Sequence, residues 1–229
     1  MTLSTRIRLE QHGVRLKAEH LPEIDEVFSV RLRSPTEIAK RIIALHALLG
    51  VIFHRDPREV KEWMEKENFL HELTEREKWA FELTELPEAE MLWRQRAMQT
   101  NLLTWRAESL YVLLWASGTI PTMIEPDERM DGSSVIDHLP GLGDPLQPFI
   151  RSVTLRPRQE IAEELHYYLA LRLCEGVMDN IDPQVVEERY YALYWIACAD
   201  DSEWDEVEDD DENVVEFEFE VEVEVEEKD

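Results

Sequence analysis

"SPTEIAKRIIALHALLGVI", from Ser34 to Ile52, predicts the dominant kind of secondary structure in this chain. Ser34 is a favourable helix N-cap, a proline follows at the first helical position, and Glu37 stands three residues after the cap, as in a capping box. Apolar residues then recur at helical spacing at Ile38, Ile42, Leu45, Leu49 and Ile52. The stretch therefore predicts a long helix with one buried face.

Similar signals along the chain predict further helices on both sides of this one. They are a short helix ending at Gly13, helices starting at Asp56-Pro57 and at the capping box of Thr74 and Glu77, a run from Pro87 to about Ser117, and helices over 157–175 and 182–199. Residues 125–148 are rich in Gly, Pro and Asp and predict a loop. Because no linker stands out, residues 1–207 predict a single, mainly α domain of about five to seven helices.

Two short stretches predict a minor β-element beside the helices. Over residues 27–33 apolar and basic side chains alternate, so that Arg31 and Arg33 share one side of a strand. In the C-terminal tail, residues 208–229, the segment 214–225 alternates valine or phenylalanine with glutamate. Opposite charges facing each other across two strands are favourable. The two stretches therefore predict a small sheet, while a disordered tail or an exposed edge that captures a basic partner stays open.

The charge of the chain is concentrated at its C-terminal end. The 229 residues carry a formal net charge of −27. Residues 200–229 hold 18 acidic residues and one lysine, a net charge of −17, which leaves −10 for the other 199 residues. Such a surface repels nucleic acid and anionic lipid and attracts basic proteins. We therefore expect no nucleic-acid or membrane partner, and a basic protein as the partner if one exists.

Cysteine usage and hydropathy bear on the compartment. Cys174 and Cys198 are the only cysteines, and both lie in predicted helices among apolar neighbours, which favours buried thiols over a disulfide. The N-terminal residues lack the apolar core of a signal peptide. The longest uncharged stretch, 109–124, is interrupted by Gly118 and Pro121 and is too short to span a bilayer. A cytoplasmic location is expected.

Two arginines occupy the centres of apolar helix faces. At 100° per residue, Arg106 lies in the middle of the face formed by Leu102, Leu103, Leu110 and Leu113. Arg189 lies in the same way among Val185, Val186, Ala192, Leu193 and Ile196. An unpaired buried guanidinium is very unfavourable, so each needs partners, and Glu108, Glu188 and Asp205 are candidates. Two interpretations follow: a buried ion-pair network that fixes helix register, or an arginine-lined anion pocket.

Three blocks carry a resemblance to a known family. They are "RSPTEIAKR" (33–41), "WRAESLYVLLWASG" (105–118) and "ERYYALYWIACADDSEWDEV" (188–207). In this order they resemble the domain of unknown function 4272 family, which is uncharacterised and mainly bacterial. The resemblance implies no activity, and the Val/Glu tail departs from it because such chains usually end soon after the last block. It marks Arg33, and it gives Arg106, Glu108, Glu188, Arg189, Trp195 and Asp205 as binding candidates and Arg41, Trp105, Trp115 and Trp204 as core candidates.

Shorter motifs predict no chemistry. His54-Arg55-Asp56 has the letters of a kinase catalytic loop, but no glycine-rich phosphate loop accompanies it. Glu163 and His166 have the spacing of half a di-iron site, and the second half is missing. Neither a catalytic residue, a metal site nor a cofactor is therefore predicted.

The expected function is non-catalytic. The acidic charge favours an intracellular interaction protein, in the manner of an immunity protein or an antitoxin, that binds a basic partner. The alternative is an enzyme or ligand-binding domain whose anion pocket lies around Arg106 and Arg189. The oligomeric state is not indicated.

Overall fold

The computed structural model describes residues 2–14, 16, 21, 31–99, 102–174, 178, 180–197 and 204–205. Within these residues the chain forms helices and no strands, so the prediction of a mainly α protein is confirmed. The ten α-helices of the described residues are α1 (Leu3–Gln11), α2 (Pro35–Phe53), α3 (Pro57–Lys66), α4 (Glu75–Phe81), α5 (Glu88–Met98), α6 (Arg106–Ala116), α7 (Ser133–Ile136), α8 (Leu146–Ser152), α9 (Arg158–Leu173) and α10 (Pro183–Ala197). Three short 3-10 helices lie at Leu70–Glu72, Glu82–Glu85 and Leu102–Trp105.

The capping signals form as the sequence predicts. At the start of α2 the hydroxyl of Ser34 accepts from the N–H of Glu37 at 3.3 Å, and the Glu37 carboxylate accepts from the Ser34 N–H at 2.8 Å. Thr74 and Glu77 make the same reciprocal pair at the start of α4. Asp56 caps α3, and Asp182 accepts from the Gln184 N–H at the start of α10. These contacts are local, which is why a few consecutive residues suffice to predict them.

The predicted β-element is not supported. Its first strand was expected over 27–33, where only Arg31, Leu32 and Arg33 are described, and these three are not in a strand. Its second strand, 214–225, lies outside the described residues, as does Cys198. The described cysteine, Cys174, is buried and free, and burial raises the pKa of its thiol to about 11.

The predicted helix from Pro87 to Ser117 is instead several elements. α5 ends at Met98, a 3-10 turn covers Leu102–Trp105, and α6 begins at Arg106. α5 buries only one face, at Met91, Gln95 and Met98, whereas every residue of α6 from 108 to 116 is buried. A single straight helix would keep one continuous face in the core. The change from one buried face in α5 to nearly complete burial in α6 therefore coincides with the break between the two helices. The predicted loop 125–148 likewise contains α7 and the start of α8, so there are more helices than the expected five to seven.

The described helices belong to two compact units. The first comprises the described residues of Met1–Arg33, Ile124–Arg129 and Arg156–Asp229, and the second those of Ser34–Met123 and Met130–Leu155. In the first unit α9 packs along α10, and α1 packs on α9. In the second unit α2 is central and contacts α3, α4, α5, α6 and α8. The prediction that 1–207 make one domain, followed by a tail at 208–229, stays a prediction.

The helix ends in the second unit show how the chain turns. α6 stops at Gly118, whose φ of +74° is the left-handed conformation typical of a helix C-terminus. The N–H groups of Gly118 and Thr119 donate back to the carbonyls of Trp115 and Leu114.

None of the helices in the described part of the chain is both long and apolar enough to cross a membrane.

Candidate functional site

Arg189 is the best-defined of the predicted site residues. It lies on α10 with a relative exposure of 0%, and its guanidinium donates to several groups of its own unit. Nη1 donates to the carbonyl of Ile124 at 2.9 Å, to that of Glu125 at 3.3 Å and to the hydroxyl of Tyr168 at 2.9 Å. Nη2 donates to the carbonyl of Glu128 at 2.8 Å. The arginine therefore clamps the segment 124–129 to α10 and α9.

The acceptors described above are neutral groups, namely three backbone carbonyls and the hydroxyl of Tyr168. Burial raises the pKa of Tyr168 well above its usual value, although the nearby Arg189 charge opposes this shift, so the phenol stays protonated at neutral pH. The carbonyls of a loop cannot be recognised as partners from sequence, because any residue type supplies one. The buried contacts of Arg189 thus agree better with a network that holds the helices in register than with an open anion pocket.

A second polar group of the first unit joins α1 to α9. Arg8 makes a bidentate pair with Glu164, with distances of 2.7 and 3.0 Å, and its guanidinium lies 3.5 Å from the centre of the Tyr167 ring. Such fork-to-fork pairs are strong and directional. The hydroxyl of Tyr167 is buried without a hydrogen-bond partner among the described residues, and burial raises its pKa. This group extends the polar core that surrounds Arg189.

These residues escaped the sequence analysis for an identifiable reason. Arg8 and Glu164 are 156 positions apart, so no local pattern relates them. The one available signal was the spacing of Glu163 and His166. His166 is indeed fully buried, and its Nδ1 lies 3.2 Å from the hydroxyl of Thr5 on α1. Within the described residues no three His, Cys, Asp or Glu side chains are placed to hold a metal ion.

The aromatic residues of the last block pack together in the first unit. The ring of Trp204 meets Trp195 edge-on at 5.1 Å and Tyr191 at 4.7 Å, and the Tyr191 hydroxyl donates to the Trp204 carbonyl. Arg33 covers Trp195, with its guanidinium 4.3 Å from the ring centre and its Nε donating to the Trp195 carbonyl at 2.8 Å. Trp204 is 2% exposed, which agrees with its place among the core candidates. Two members of the predicted site thus belong to a structural aromatic cluster.

The two remaining acidic candidates of the first unit are Glu188 on α10 and Asp205 beside Trp204. Both side chains are half-buried, and both interact with other groups of the protein. Neither is among the acceptors of the Arg189 guanidinium described above. Their role as binding residues stays a prediction.

In the second unit, Arg106 and Glu108 open α6 and are both buried. Arg106 has a relative exposure of 6% and Glu108 of 3%. The Glu108 carboxylate accepts from the N–H of Met130 at 2.7 Å, and Arg106 interacts with other groups of the protein. Because Leu102 and Leu103 belong to the preceding 3-10 turn, the helical spacing that placed Arg106 between them and the later leucines does not hold. Its burial follows instead from the burial of almost the whole of α6.

The core candidates of the second unit differ in burial. Trp115 is buried, whereas Trp105 is only half-buried. Arg41 on α2 is buried and donates through Nη2 to both carboxylate oxygens of Glu77 at 2.5 Å. Glu77 is also the residue that accepts from the Thr74 N–H in the capping box of α4. One carboxylate therefore both caps α4 and ties that helix to α2.

The predicted site residues thus fall into two groups. Arg189, Glu188, Trp195, Trp204 and Asp205 belong to the first unit, and Arg106, Glu108, Arg41, Trp105 and Trp115 to the second. A common pocket around Arg106 and Arg189 stays a prediction. In the first unit Arg189 meets Tyr168 and the backbone of 124–129, and Trp195 meets Trp204.

Comparison with known proteins gives one match. A family model described as "Domain of unknown function (DUF4272)" matches residues 1–207 of the 229. Neither a curated protein nor a solved structure matches the chain. The matched range contains all three blocks on which the resemblance rested, and it ends where the acidic tail begins.

Proposed function

The chain belongs to the domain of unknown function 4272 family, and we propose that it is a non-catalytic cytoplasmic protein that binds a basic protein partner. The observation that carries this proposal is the state of Arg189. Its guanidinium is fully buried, and four acceptors of its own unit already occupy it. An arginine in that state stabilises a scaffold and is not available to a substrate anion.

The net charge of the chain supports a basic partner. A formal net charge of −27 raises the local concentration of basic molecules around the protein and speeds their encounter. An immunity or antitoxin protein has this need, because it must find and neutralise a basic target quickly. The charge supports the kind of partner and does not identify it.

A comparison of two chains tests the proposal. The full chain and a chain that ends after Glu212 are used as baits in cell lysate at 50 and 500 mM NaCl. The proposal expects both the full chain and the shortened chain to retain a basic protein at low salt and to lose most of it at high salt. If only the full chain retains it, the tail is the recognition element, and the proposal still holds. Retention of acidic or uncharged proteins alone, unchanged by salt, would contradict it.

The alternative, an anion pocket around Arg106 and Arg189, has a separate test. A ligand that binds only the folded protein raises its unfolding free energy by RT ln(1 + [L]/Kd), so its melting temperature rises with ligand concentration. Phosphate, citrate and nucleotide, each at 10 mM and constant ionic strength, would raise the melting temperature if Arg106 opened into such a pocket. We expect no rise beyond that given by sodium chloride.

A further inference from the structure

Arg8 of α1 occupies a site that other elements of the first unit build. Glu164 and Tyr167 on α9, with Glu125 in the segment 124–129, form this site, which we call the guanidinium site. Glu164 accepts from both Nη atoms of Arg8 at 2.7 and 3.0 Å, and Glu125 accepts from Nη2 at 3.4 Å. The guanidinium carbon lies 3.5 Å from the centre of the Tyr167 ring. Because Arg189 donates to the carbonyl of Glu125, the segment that carries this acid is fixed to α10.

The guanidinium site selects a guanidinium over other cations. A carboxylate that accepts two parallel N–H groups, next to a ring face that takes a flat cation, matches the planar fork of arginine, whereas a lysine ammonium cannot pair in this two-pronged way. Without Arg8 the site holds two carboxylates. Among the described residues, His12 is the other basic side chain that reaches these acids, with its Nε2 3.9 Å from Glu125. The site is thus built for a positive, planar group.

The helix that carries Arg8 is attached to α9 with little apolar burial. Of the nine residues of α1, Thr5 and Leu9 are buried. The apolar side chains of Leu3 and Ile7 are instead 64% and 47% exposed. A helix that buries few apolar contacts has a low free energy of local opening. The pairing of Arg8 is therefore a large part of what keeps α1 on α9.

The chain after α1 can stay in place while the helix moves. Gly13 follows the helix with a φ of +79°, and in the described part of the chain nothing beyond the adjoining residues lies within 4 Å of the position that a Cβ would take there. Val14 and Leu16 come next and are 1% and 6% exposed, so they stay anchored in the core. A change in the backbone at Gly13 can therefore lift α1 from the guanidinium site.

Arg8 fits the guanidinium site incompletely. Its Nε and the hydroxyl of Tyr167 are both buried and have no hydrogen-bond partner among the described residues, and Tyr167 is 0% exposed. Buried polar groups without partners are unfavourable. Carbonyls within an α-helix are already engaged by N–H groups of that helix, whereas an extended segment brings free carbonyls next to its arginine. An arginine in an extended segment can therefore satisfy the two groups that Arg8 leaves without partners.

We propose that the guanidinium site recognises the basic partner, and that an arginine in an extended segment of the partner displaces Arg8 and lifts α1. Arg8 is in this way an internal competitor that keeps the site closed until the partner arrives. The apparent affinity for the partner is then lowered to the extent that α1 is closed in the free protein. This inference rests on the proposed function and adds the site of contact and the side chain that is recognised.

Removal of the internal competitor tests the proposal. The full chain is titrated into a fluorescein-labelled eight-residue peptide of alternating arginine and leucine, and anisotropy is read at 100 mM NaCl. Arg8→Ala is expected to bind the peptide about 10-fold or more tighter than wild type does, because the site is open. Arg6→Ala is the control, since it removes the same charge from a side chain of α1 that is 57% exposed, and its Kd should stay within about two-fold of wild type. Equal Kd values for Arg8→Ala and wild type would overturn the proposal.

Two acid variants in the Arg8→Ala chain show where the arginine binds. Glu164→Gln is expected to cancel the gain in affinity, because it removes the carboxylate that receives two N–H groups. Glu160→Gln makes the same change in charge one turn earlier on α9, where the side chain is 48% exposed, and should keep the gain. A lysine–leucine peptide should gain much less from Arg8→Ala than the arginine–leucine peptide does. Equal losses for the two acid variants, or equal gains for the two peptides, would show that general charge and not the guanidinium site binds the peptide.

Hydrogen exchange on the wild-type chain tests the displacement without any variant. A saturating concentration of the arginine–leucine peptide should speed amide exchange in α1 about 10-fold or more, because the helix leaves α9. Exchange in α10, which does not move in the proposal, should stay unchanged and is the internal control. Exchange in α1 that stays the same or slows on binding would contradict the displacement.

The same measurements distinguish failure of the guanidinium site from failure of the proposed function. If wild type and Arg8→Ala bind the arginine–leucine peptide equally, and exchange in α1 does not change, the basic partner stands and the guanidinium site is wrong. If the full chain binds a glutamate–leucine peptide as tightly as the arginine–leucine peptide, both proposals are wrong.

Discussion

Arg189 shows what a single buried charge can do when acceptors of its own unit surround it. A guanidinium has five N–H groups in a fixed plane, and here that plane meets three backbone carbonyls and the hydroxyl of Tyr168. The segment 124–129 has irregular structure, and Arg189 supplies a donor to its carbonyls at Ile124, Glu125 and Glu128. Arg189 therefore stabilises a loop that no helix or sheet hydrogen bond holds in place.

Replacement of Arg189 by methionine should destabilise the protein by about 3 kcal/mol or more, because buried carbonyls lose their donor. Urea unfolding of wild type and variant measures this difference. Arg6→Met on α1 is the control, since Arg6 is exposed and its one pair with Glu10, at 3.9 Å, is worth about 0.5 kcal/mol or less. A methionine variant at least as stable as wild type would show that the cost of burying the Arg189 charge cancels what its hydrogen bonds contribute.

His46 makes the stability of the folded protein depend on pH. Burial lowers the pKa of His46 and outweighs the opposite effect of its hydrogen bond to the Pro140 carbonyl at 3.1 Å. The unfolded chain, with a histidine pKa of about 6.5, therefore binds a proton at a higher pH than the folded chain does. The contribution of neutral His46 is fully present above pH 6.5 and is lost as the pH falls towards the lower, folded pKa.

Urea unfolding of wild type and His46→Gln between pH 8 and 5 tests this dependence. The difference in unfolding free energy between the two proteins should shrink as the pH falls below about 6.5. His71→Gln is the control, because the His71 side chain is 63% exposed, and its difference from wild type should vary much less with pH. Parallel curves for wild type and His46→Gln would show that the ring titrates normally in the folded protein.

At the scale of the elements, sequence was a good guide where the contacts are local. The caps at Ser34, Asp56, Thr74 and Asp182 formed as predicted, because each needs only a side chain and an N–H two or three residues away. The break between α5 and α6 was missed, since it depends on how much of each helix other elements cover. For the candidate site, the burial of Arg189 was predictable from its apolar neighbours, whereas the burial of Arg106 follows from the burial of nearly all of α6. The carbonyls and the Tyr168 hydroxyl that accept from Arg189 could not be predicted, because they are distant in sequence.

Glu77 caps α4 and joins that helix to α2 through its pair with Arg41. Glu77→Gln should destabilise the protein by about 3–5 kcal/mol, because it removes the charge that pairs with the buried Arg41 guanidinium. Glu75→Gln is a matched control two residues earlier on the same helix, where the side chain is 88% exposed and pairs only with Lys78. Its effect should be within about 0.5 kcal/mol. Denaturant unfolding separates the two, and similar losses for both would show that the Arg41 pair contributes no more than a surface pair.

At the scale of the whole molecule, charge and surface features have different tasks in the proposed function. The net charge of −27 acts over the screening length of the solution, about 10 Å at 0.1 M salt, and so governs how often a basic partner arrives. Apolar side chains at an interface act only on contact and so govern how long a partner stays. The acidic residues after Glu212 can therefore assist binding without touching the bound partner.

This division of tasks predicts separate effects on the two rate constants for a fluorescein-labelled eight-residue peptide of alternating arginine and leucine. Removing residues 213–229 takes away eight acidic residues and one lysine, so the association rate constant should fall several-fold, as should its dependence on salt. The dissociation rate constant should stay within about two-fold. Stopped-flow anisotropy at 50 and 300 mM NaCl measures both constants for the full and the shortened chain. A shortened chain that releases the peptide faster than the full chain does would place the lasting contact in the tail.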